Sequence, residues 1–351
     1  MVLTATGFKS NIAGKYRKPY LVDMSFSSFE LLDYSQPILV FGRDGQVGKA
    51  LQASLKHLET PVIFLGRAEC DLSDESSILQ VLNRYQPQVI INAAAYTDVD
   101  QAETDPDLAF AVNAHAPKVM ANYITNLPDG IFVHYSTDYV FADTKQTAYV
   151  ETDITGPAEQ LSVYGQSKLT GEKAIEEVFK LVQNSEGEED EDIFSRYYIL
   201  RTSWVYGNGE NFIRAILRLA SERDQLRVIA DQVGVPTSAQ WLGNVTLQLI
   251  GSKLESGIYH AVPDGETSWY GLAVVAIEFA ALVGAAIQVK SGNICPISAG
   301  DYLSPVKRSY NSRMNNQKLK QALTQVPHAS RYPHWQEQVE AYVKEYVMSL
   351  F

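Results

Sequence analysis

Short apolar runs alternate with longer amphipathic stretches from Pro37 onward. Each run is short enough to be a buried strand of a parallel sheet, and the stretches between them show helical spacing. The predicted strands include Ile38–Phe41, Val62–Leu65, Val89–Asn92, 131–133 and 198–202. The clearest predicted helices are 106–126, 164–183 and 212–223. Strands that alternate with helices predict an α/β fold with a doubly wound parallel sheet and right-handed crossovers.

The pattern divides the chain into unequal parts. Residues 36–205 carry the strong alternation and are predicted to form the sheet domain, whereas 206–351 are looser, with short strands at 227–230 and Gly257–His260. We expect this second part to form mainly a smaller mixed α/β substrate-binding lobe, with some segments returning to the first domain. Residues 1–35 lack a sustained period and are predicted to be a mobile extension, and Met24 offers an alternative start.

Composition narrows the functional classes. The 351 residues are 46% hydrophobic and 20% charged, with a net charge of −12, and half of that excess lies in the acidic run 186–192, predicted to be a solvated loop. An acidic chain with no basic stripe argues against nucleic acid binding. No apolar run is long enough to span a membrane, and two distant cysteines give neither a zinc motif nor a disulfide framework. We expect a cytoplasmic protein and assign no metal ligand.

A glycine-rich turn follows the first predicted strand, at residues 42–48. Strand, glycine turn and helix are typical of a dinucleotide-binding (Rossmann) unit, in which phosphates lie at the helix N-terminus. Gly42 permits the tight turn, Gly45 lets the backbone approach a pyrophosphate, and Gly48 allows the helix to pack closely on the strand. The predicted cofactor contacts in this turn are Gly42, Arg43, Gly45, Gln46, Val47 and Gly48.

The end of the second strand indicates which cofactor is bound. NAD-preferring folds place an acid there, but this chain has Gly66 and Arg67. A cation suits a 2′-phosphate, and Arg43 is a second candidate for this contact. We therefore predict NADPH, with NADH as the alternative. The competing interpretation is that both arginines are simply solvated surface residues. The adjoining Asp71 and Leu72 are expected near the adenine, and Ser73 is predicted to cap the helix that follows. Small residues after the third strand, Ala93, Ala94 and Ala95, let a flat cofactor pass closely.

Tyr164 and Lys168 are separated by one helical turn and therefore share a helix face. An ammonium close to a phenol lowers the phenol's pKa, so Tyr164 can exchange a proton with a substrate oxygen. Thr137, at the end of the fourth strand, can donate a hydrogen bond to the same oxygen. The alternative is that this spacing is a chance feature of a helix.

Several motifs together resemble the extended short-chain dehydrogenase/reductases and, within them, the dTDP-4-dehydrorhamnose reductases. They are Gly-x-x-Gly-Gln-Val-Gly at 42–48, Asn-Ala-Ala-Ala-Tyr-Thr-x-Val-Asp at 92–100, His-Tyr-Ser-Thr-Asp-Tyr-Val-Phe at 134–141, Tyr-Gly-x-x-Lys-x-x-Gly-Glu at 164–172, Arg-Thr-Ser-Trp-Val-Tyr-Gly at 201–207, Asp-Gln-x-Gly-x-Pro-Thr at 231–237, Gly-Ile-Tyr-His at 257–260 and Glu-Thr-Ser-Trp-Tyr at 266–270. The resemblance covers about residues 37–320.

The resemblance implies NAD(P)H-dependent reduction of the C4 ketone of dTDP-4-dehydro-6-deoxy-L-mannose to dTDP-L-rhamnose, a step in nucleotide-sugar and cell-surface polysaccharide biosynthesis. It makes Tyr164 the proton donor, Lys168 the residue that tunes it and holds the nicotinamide ribose, and Thr137 the group that orients the substrate oxygen, with Asp138 beside it. Thr97, Val99 and Trp204 fall where the family contacts the sugar nucleotide. Some members bind Mg²⁺ at a dimer interface, so a homodimer and Mg²⁺ are open, and no ligands are assigned.

The chain departs from the family pattern at three places: residues 158–160, the acidic run, and 308–312, where Arg-Ser-Tyr-Asn-Ser replaces Arg-Pro before the Asn-Ser. Two alternatives stay open. One is a non-catalytic NADP-binding subunit that resembles the methionine adenosyltransferase β subunit, and the other is a different sugar-nucleotide reductase or epimerase. The intact stretches around Thr97 and Trp204 favour the reductase.

Overall fold

The computed structural model describes residues 36–185, 195–301, 308–326 and 332–350. The N-terminal extension 1–35 and the acidic run 186–192, for which we predicted a mobile segment and a solvated loop, lie outside these residues.

The first part of the chain alternates strands with helices, as the hydrophobic pattern predicts. The strands are β1 (Ile38–Phe41), β2 (Val62–Leu65), β3 (Val89–Asn92), β4 (Ile131–Thr137) and β5 (Arg196–Thr202). The helices are α1 (Gln46–Leu55), α2 (Glu75–Tyr85), α3 (Val99–Ala102), α4 (Pro106–Phe110), α5 (Ala116–Ile124) and α6 (Val163–Ser185), with a π-helical segment at Ala111–His115 and 3₁₀ turns at Asp138–Val140 and Ala158–Gln160.

The second part contains shorter strands between four longer helices and one short helix. The strands are β6 (Val205–Tyr206), β7 (Leu226–Ile229), β8 (Val233–Gly234), β9 (Thr237–Ser238), β10 (Gly257–His260), β11 (Thr267–Ser268), β12 (Ile294–Ile297) and β13 (Asn311–Ser312). The helices are α7 (Phe212–Glu222), α8 (Ala239–Ile250), α9 (Trp269–Leu282), α10 (Gln317–Leu323) and α11 (Trp335–Met348), with 3₁₀ turns at Ser291–Asn293 and Ala299–Asp301.

Six strands form the central sheet in the order β2-β1-β3-β4-β5-β10. All neighbours are parallel, so their carboxyl ends meet at one edge. Strand β10 comes from the second part of the chain and adds to β5, and beyond it Ala261 donates a backbone hydrogen bond to Arg201 at 2.7 Å. The predicted doubly wound parallel sheet is confirmed.

Both faces of the sheet are covered because successive side chains of a strand point to opposite sides. In β1, Ile38 and Val40 join a core with residues of α1 and α8 such as Leu51 and Leu242. Leu39 and Phe41 pack on the other side, in a core that includes residues of α2, α5 and α6. A third core joins α7, α9 and α11 with β7 and β12 and forms the interior of the smaller lobe.

Asp143 connects the loop after β4 to the segment around β13. It adopts a left-handed backbone (φ 59°), and its carboxylate accepts backbone hydrogen bonds from Tyr310 at 3.0 Å and Asn311 at 2.8 Å. The segment that leads into β13 is therefore fixed against the loop after β4.

Two local features differ from the sequence predictions. The predicted helix 106–126 contains the π-helical segment Ala111–His115, which inserts an extra residue into one turn. Helix α2 is capped by Asp74, which accepts from Ser76 N–H at 2.9 Å, so the predicted cap at Ser73 is wrong. Ser73 instead bonds to Asp71 through both its N–H and its hydroxyl, which makes it part of the preceding turn.

Candidate active site

A cavity of about 1080 Å³ opens at the carboxyl ends of the parallel strands, where open α/β sheets bind ligands. The turns after β1, β2 and β3 and the ends of β4 and β5 form one wall, and α9 with residues 308–312 contributes to the other. Predicted site residues that line it are Gly42, Gly45, Gln46, Val47, Arg67, Asp71, Leu72, Ala93, Ala94, Ala95, Thr97, Val99, Thr137, Asp138, Tyr164, Lys168 and Trp204. Arg43 and Gly48 are the predicted site residues outside this lining.

The glycine turn brings β1, α1 and the end of β3 into close contact. Gly42 has φ +90°, and a side-chain carbon there would lie 2.6 Å from the Ala93 carbonyl carbon. A side-chain carbon at Gly48 would collide with the Gly42 carbonyl oxygen. Both positions therefore require glycine for packing, and Gly48 shapes the turn from outside the cavity.

Gly45 is the open position of the turn. A side-chain carbon there would lie 3.4 Å from the Gly42 carbonyl oxygen, which is ordinary contact. Gly45 is also the N-cap of α1 and has no side-chain cap, so the helix N-terminus faces the cavity without a competing acceptor. This arrangement fits the pyrophosphate of a dinucleotide.

The two arginines predicted near the 2′-phosphate have different surroundings. Arg43 is paired with Glu69 at 2.8 Å and with Asp44 at 3.1 Å, and these carboxylates raise its pKa. Arg67 is exposed and lines the cavity, so it is the better placed of the two. Glu69, which was not among the predicted site residues, also accepts the Gly66 N–H at 2.9 Å. It therefore puts an acid near the end of β2.

Asn113, from the π-helical segment, joins the loop after β3 to helix α6. Its side chain accepts from Tyr96 N–H at 2.8 Å and donates to the Tyr96 carbonyl and to Ser167, each at 3.0 Å. Helix α6 carries Tyr164 and Lys168, so Asn113 fixes the distance between the alanine loop and the reactive side chains. π-Helical insertions often occur at functional sites.

Thr137 is the last residue of β4 and Asp138 begins the next 3₁₀ turn, and both lie close to Tyr164. The Thr137 hydroxyl caps the following 3₁₀ turn by accepting Tyr139 N–H at 3.2 Å, and it donates to Asp138 at 3.2 Å. The Tyr139 ring packs edge-on against Tyr164, with ring centroids 5.5 Å apart. Both Thr137 and Asp138 are buried, so the polar end of β4 meets little water.

Burial is the largest influence on the pKa values of Asp138 and Tyr164. It raises the pKa of Asp138 to about 6, against hydrogen bonds from Ser312 and Thr137 that lower it. Burial also raises the pKa of Tyr164 above its ordinary value, with partial compensation from Thr137. The expected lowering of the Tyr164 pKa by Lys168 is therefore not borne out, because desolvation of the phenolate outweighs the other influences.

Lys168 has other partners in this structure. Its Nζ donates to the Tyr135 carbonyl oxygen at 2.6 Å and lies 3.1 Å from His134 Nε2. Burial lowers the pKa of Lys168 to about 8, and Glu172 opposes this shift. Sequence spacing places Lys168 on the face of Tyr164, but it does not reveal contacts to the strand beneath.

Trp204 and Trp269 stack in the cavity wall, with ring centroids 3.7 Å apart and planes 14° from parallel. Trp204 has a left-handed backbone (φ 47°), and a side-chain carbon on Gly234 would lie 2.7 Å from its ring. The glycine of the motif at 231–237 thus makes room for the Trp204 ring.

Trp269, Arg308 and Ser312 are among the lining residues that were not predicted as site residues. Arg308 is paired with Asp100 at 3.2 Å, which connects the 308–312 segment to the region of Val99. The signal for Trp269 was its place in a family motif. Arg308 and Ser312 lie in a segment that departs from the family, so the motif gave no residue-by-residue guide.

The described residues do not form a metal site. Among them, no three His, Cys, Asp or Glu side chains lie close enough together to hold an ion. None of the described residues is assigned to the Mg²⁺ that the family resemblance leaves open. Within the same described ranges, no helix combines the length and the apolar character that a bilayer crossing requires.

Fold and site together define a nicotinamide-dependent oxidoreductase of the short-chain dehydrogenase/reductase class: a dinucleotide turn, an alanine loop, and a Thr, Tyr and Lys set in one cavity. The family described as "RmlD substrate binding domain" matches residues 36–348. The chain belongs to the dTDP-4-dehydrorhamnose reductase family.

Named relatives agree with that assignment. The chain is 37% identical to the dTDP-4-dehydrorhamnose reductase of Escherichia coli (strain K12) over 316 residues, which cover 88% of this chain and 97% of the relative. The crystal structure of the Clostridium acetobutylicum enzyme superposes with a TM-score of 0.75 at 31% identity, over 88% of this chain and 99% of that one. The Bacillus anthracis enzyme in complex with NADP gives a TM-score of 0.74 at 29% identity, over 89% and 100%.

Proposed function

We propose that this protein uses NADPH to reduce the C4 ketone of dTDP-4-dehydro-6-deoxy-L-mannose, which yields dTDP-L-rhamnose. The observation that carries the proposal is the position of Tyr164, Thr137 and Lys168 in the same cavity as an uncapped glycine turn. A nicotinamide reductase needs these two parts side by side: a cradle for a dinucleotide and a proton donor next to it. The reductase relatives favour this reaction over the non-catalytic alternative.

Each part of the NADPH molecule can be assigned to a group of lining residues. Gly45 and the N-terminus of α1 would hold the pyrophosphate, and Arg67 the 2′-phosphate. Asp71 and Leu72 would lie beside the adenine. Ala93–Ala95 would leave space for the flat rings, and Lys168 would contact the nicotinamide ribose. When bound, NADPH supplies the hydride for the reduction. The NADP complex of the Bacillus anthracis relative supports NADPH as the cofactor.

Tyr164 supplies the proton that the reduced oxygen requires. The raised pKa of Tyr164 keeps the phenol protonated at neutral pH, so it is ready to act as an acid. Negative charge that develops on a ketone oxygen in a site with little water is costly unless donors are already in place. Thr137 provides the second donor and orients the oxygen. In this structure the Thr137 hydroxyl donates its one proton to Asp138, so it must redirect that proton to the ketone oxygen to act as this second donor.

The sugar nucleotide would occupy the wall opposite the cofactor. Thr97 and Val99 lie after the alanine loop, and Trp204 with its stacked partner Trp269 offers a flat apolar surface. An aromatic surface of this kind suits stacking of a nucleobase or a sugar face.

The test is to mix the purified protein with NADPH and enzymatically prepared dTDP-4-dehydro-6-deoxy-L-mannose, and to follow the loss of NADPH fluorescence. We expect rapid cofactor oxidation and a product with the chromatographic behaviour of dTDP-L-rhamnose. NADPH binding without oxidation would favour a regulatory subunit. Oxidation only with other nucleotide-linked keto sugars would favour a different reductase.

Two predictions from the sequence accompany this function. We propose that the protein acts in the cytoplasm, and that it forms a homodimer as the family resemblance allows. Size-exclusion chromatography with light scattering measures the second directly, and a monomeric mass at micromolar concentration would contradict it.

A further inference from the structure

A series of buried contacts runs beneath the cavity from the alanine loop to Lys168. Ala94 N–H donates to Asn92 Oδ1 at 3.2 Å, Asn92 Nδ2 lies 3.1 Å from His134 Nδ1, and His134 Nε2 lies 3.1 Å from Lys168 Nζ. The side chains of Asn92, His134 and Lys168 belong to residues that are 0%, 0% and 1% exposed. Neither Asn92 nor His134 has a role in the function proposed above.

The direction of these hydrogen bonds is set at the Ala94 end. A backbone N–H can only donate, so the Asn92 atom that meets it is the carbonyl oxygen. The Asn92 amide nitrogen therefore faces His134 Nδ1 and donates to it. Burial, with the charge of Lys168 as a second cause, holds the pKa of His134 well below its ordinary value, so the ring is neutral. A neutral imidazole that accepts at Nδ1 carries its proton on Nε2.

This tautomer matters for Lys168. The proton on His134 Nε2 points at Nζ, and an ammonium group has no lone pair with which to accept it. An uncharged amine accepts this proton and still donates to the Tyr135 carbonyl oxygen at 2.6 Å. The contact with His134 therefore acts in the same direction as burial, the main reason that the pKa of Lys168 is lowered to about 8.

The other titratable groups near Lys168 have partners of their own. Glu172, one turn further along α6, is bound by Arg201 of β5 through two nitrogens, at 2.7 Å and 3.0 Å. Tyr164 lies one turn earlier on α6 and is protonated, and Asp138 follows β4. His134 is thus the titratable side chain in direct contact with Nζ among the described residues.

We propose that Asn92 and His134 are positioning residues that set the charge of Lys168: Asn92 fixes the His134 tautomer, and the Nε2 proton of His134 favours the uncharged amine and holds it against Tyr135. This inference rests on the proposed function, because Lys168 is the residue that we place beside the cofactor. Since Ala94 lines the cavity, the same hydrogen bonds connect the cofactor surface to the protonation of the lysine.

The first experiment reads the tautomer directly and needs no substrate or cofactor. In long-range ¹H–¹⁵N spectra of the full chain labelled with ¹⁵N-histidine, we expect His134 to show the Nε2–H tautomer, assigned by the loss of its signals in His134→Phe. Asn92→Asp should convert it to the Nδ1–H tautomer, because a carboxylate can accept from both Ala94 and His134. An Nδ1–H tautomer in the unmodified protein would overturn the proposal.

The second experiment measures NADPH affinity by fluorescence titration across pH. We expect affinity to fall at alkaline pH as Lys168 loses its charge, and Asn92→Asp to move that midpoint upward by about one pH unit. In a His134→Phe background the same change should move the midpoint much less. An equal shift in both backgrounds would mean that the new carboxylate acts directly, and the role of His134 would be refuted.

His260 supplies the matched control. It is also 0% exposed, and burial lowers its pKa to about 3, but it packs against Phe141 and lies outside the cavity lining. His260→Phe should leave the midpoint and the His134 tautomer unchanged. A midpoint shift in His260→Phe equal to that in His134→Phe would assign the effect to packing and contradict the proposal. Thermal unfolding of each variant confirms that the fold is retained.

Discussion

The side chains at the two ends of the cavity differ in their exposure to solvent. At the reaction end, Thr137 and Asp138 are each 5% exposed and Lys168 is 1% exposed, and burial shifts the pKa of both titratable groups. At the end where we propose that the adenosine binds, Arg67 and Asp71 are exposed, and the rest of the wall includes glycine backbone and small side chains. Chemistry is thus concentrated where side chains are desolvated, while the other end provides shape and a solvated charge.

The comparison predicts where single changes have large effects. A substitution that removes one polar atom at the buried end leaves a reacting group without its partner in a site of low polarity. At the exposed end, water compensates for a lost charge, so effects there should be small unless the backbone itself is displaced.

The largest effect should come from Tyr164→Phe. The change removes one oxygen and little volume, and general acid catalysis typically contributes about 10²–10⁴-fold, so kcat should fall by that factor. NADPH affinity, measured by fluorescence titration, should stay within about fivefold, because one lost hydrogen bond is worth about 1 kcal/mol or less. Thr137→Val is the companion variant and should cost less, since it removes an orienting hydrogen bond and leaves the acid. A Tyr164→Phe enzyme with more than about half its rate would show that a different group donates the proton or that chemistry does not limit turnover.

Asp138→Asn should change stability in a pH-dependent way. Burial raises the pKa of Asp138 from an ordinary 3.8 to about 6, so the folded protein prefers the protonated acid and loses stability as pH rises through about 6. Asparagine cannot ionise, and the variant should therefore be more stable than the unmodified protein at about pH 8, by up to about 3 kcal/mol. Near pH 4 that difference should vanish. Urea unfolding at both pH values measures it, and a variant that is less stable at pH 8 would contradict the buried-acid assignment.

Gly48→Ala and Gly45→Ala separate packing from binding in the turn. A side-chain carbon at Gly48 collides with the Gly42 carbonyl oxygen, so we expect a loss of about 1–3 kcal/mol in unfolding free energy. At Gly45 the nearest contact is 3.4 Å, so stability should change little while NADPH affinity falls, because the methyl group points to where the pyrophosphate would lie. Equal NADPH affinity in Gly45→Ala and the unmodified protein would place the phosphates elsewhere.

The smallest effect should come from Arg67→Asp. Exposed charge pairs contribute about 0.2–1 kcal/mol, so reversal of this charge should weaken NADPH binding by up to about tenfold and NADH binding by less. Arg67→Gln removes the charge without reversing it, so its NADPH affinity should lie between those of the unmodified protein and Arg67→Asp. Competitive fluorescence titrations with both cofactors give the ratio. An equal loss for NADPH and NADH would contradict the contact between Arg67 and the 2′-phosphate.

Much of the sheet follows from hydrophobic pattern alone. The bounds of β1, β2 and β3 are those predicted, because a strand covered on both faces is a largely apolar run with sharp ends. The bounds of the edge strand β10 are also those predicted. The positions of Tyr164, Lys168 and Thr137 in one cavity also follow, since the carboxyl ends of parallel strands meet at one edge.

Other features depend on contacts that no local pattern records. Arg43 is paired with Glu69, 26 residues away, which a view of the turn alone does not show. Lys168 bonds to β4 because helix α6 crosses that strand, and the pKa of Tyr164 rises because the whole site is buried. The π-helical segment preserves a helical periodicity on either side, so the pattern predicts one uninterrupted helix.

The contact of Asp143 with Tyr310 and Asn311 has a consequence for how the protein matures in the cell. Synthesis proceeds from the N-terminus, so β1 to β5 leave the ribosome well before β10 completes the sheet edge and before β13 reaches its place. The dinucleotide turn can form early, but Arg308 and Ser312 join the cavity wall only near the end of translation. The segments that form the dinucleotide turn are therefore synthesised long before those that complete the opposite wall of the cavity.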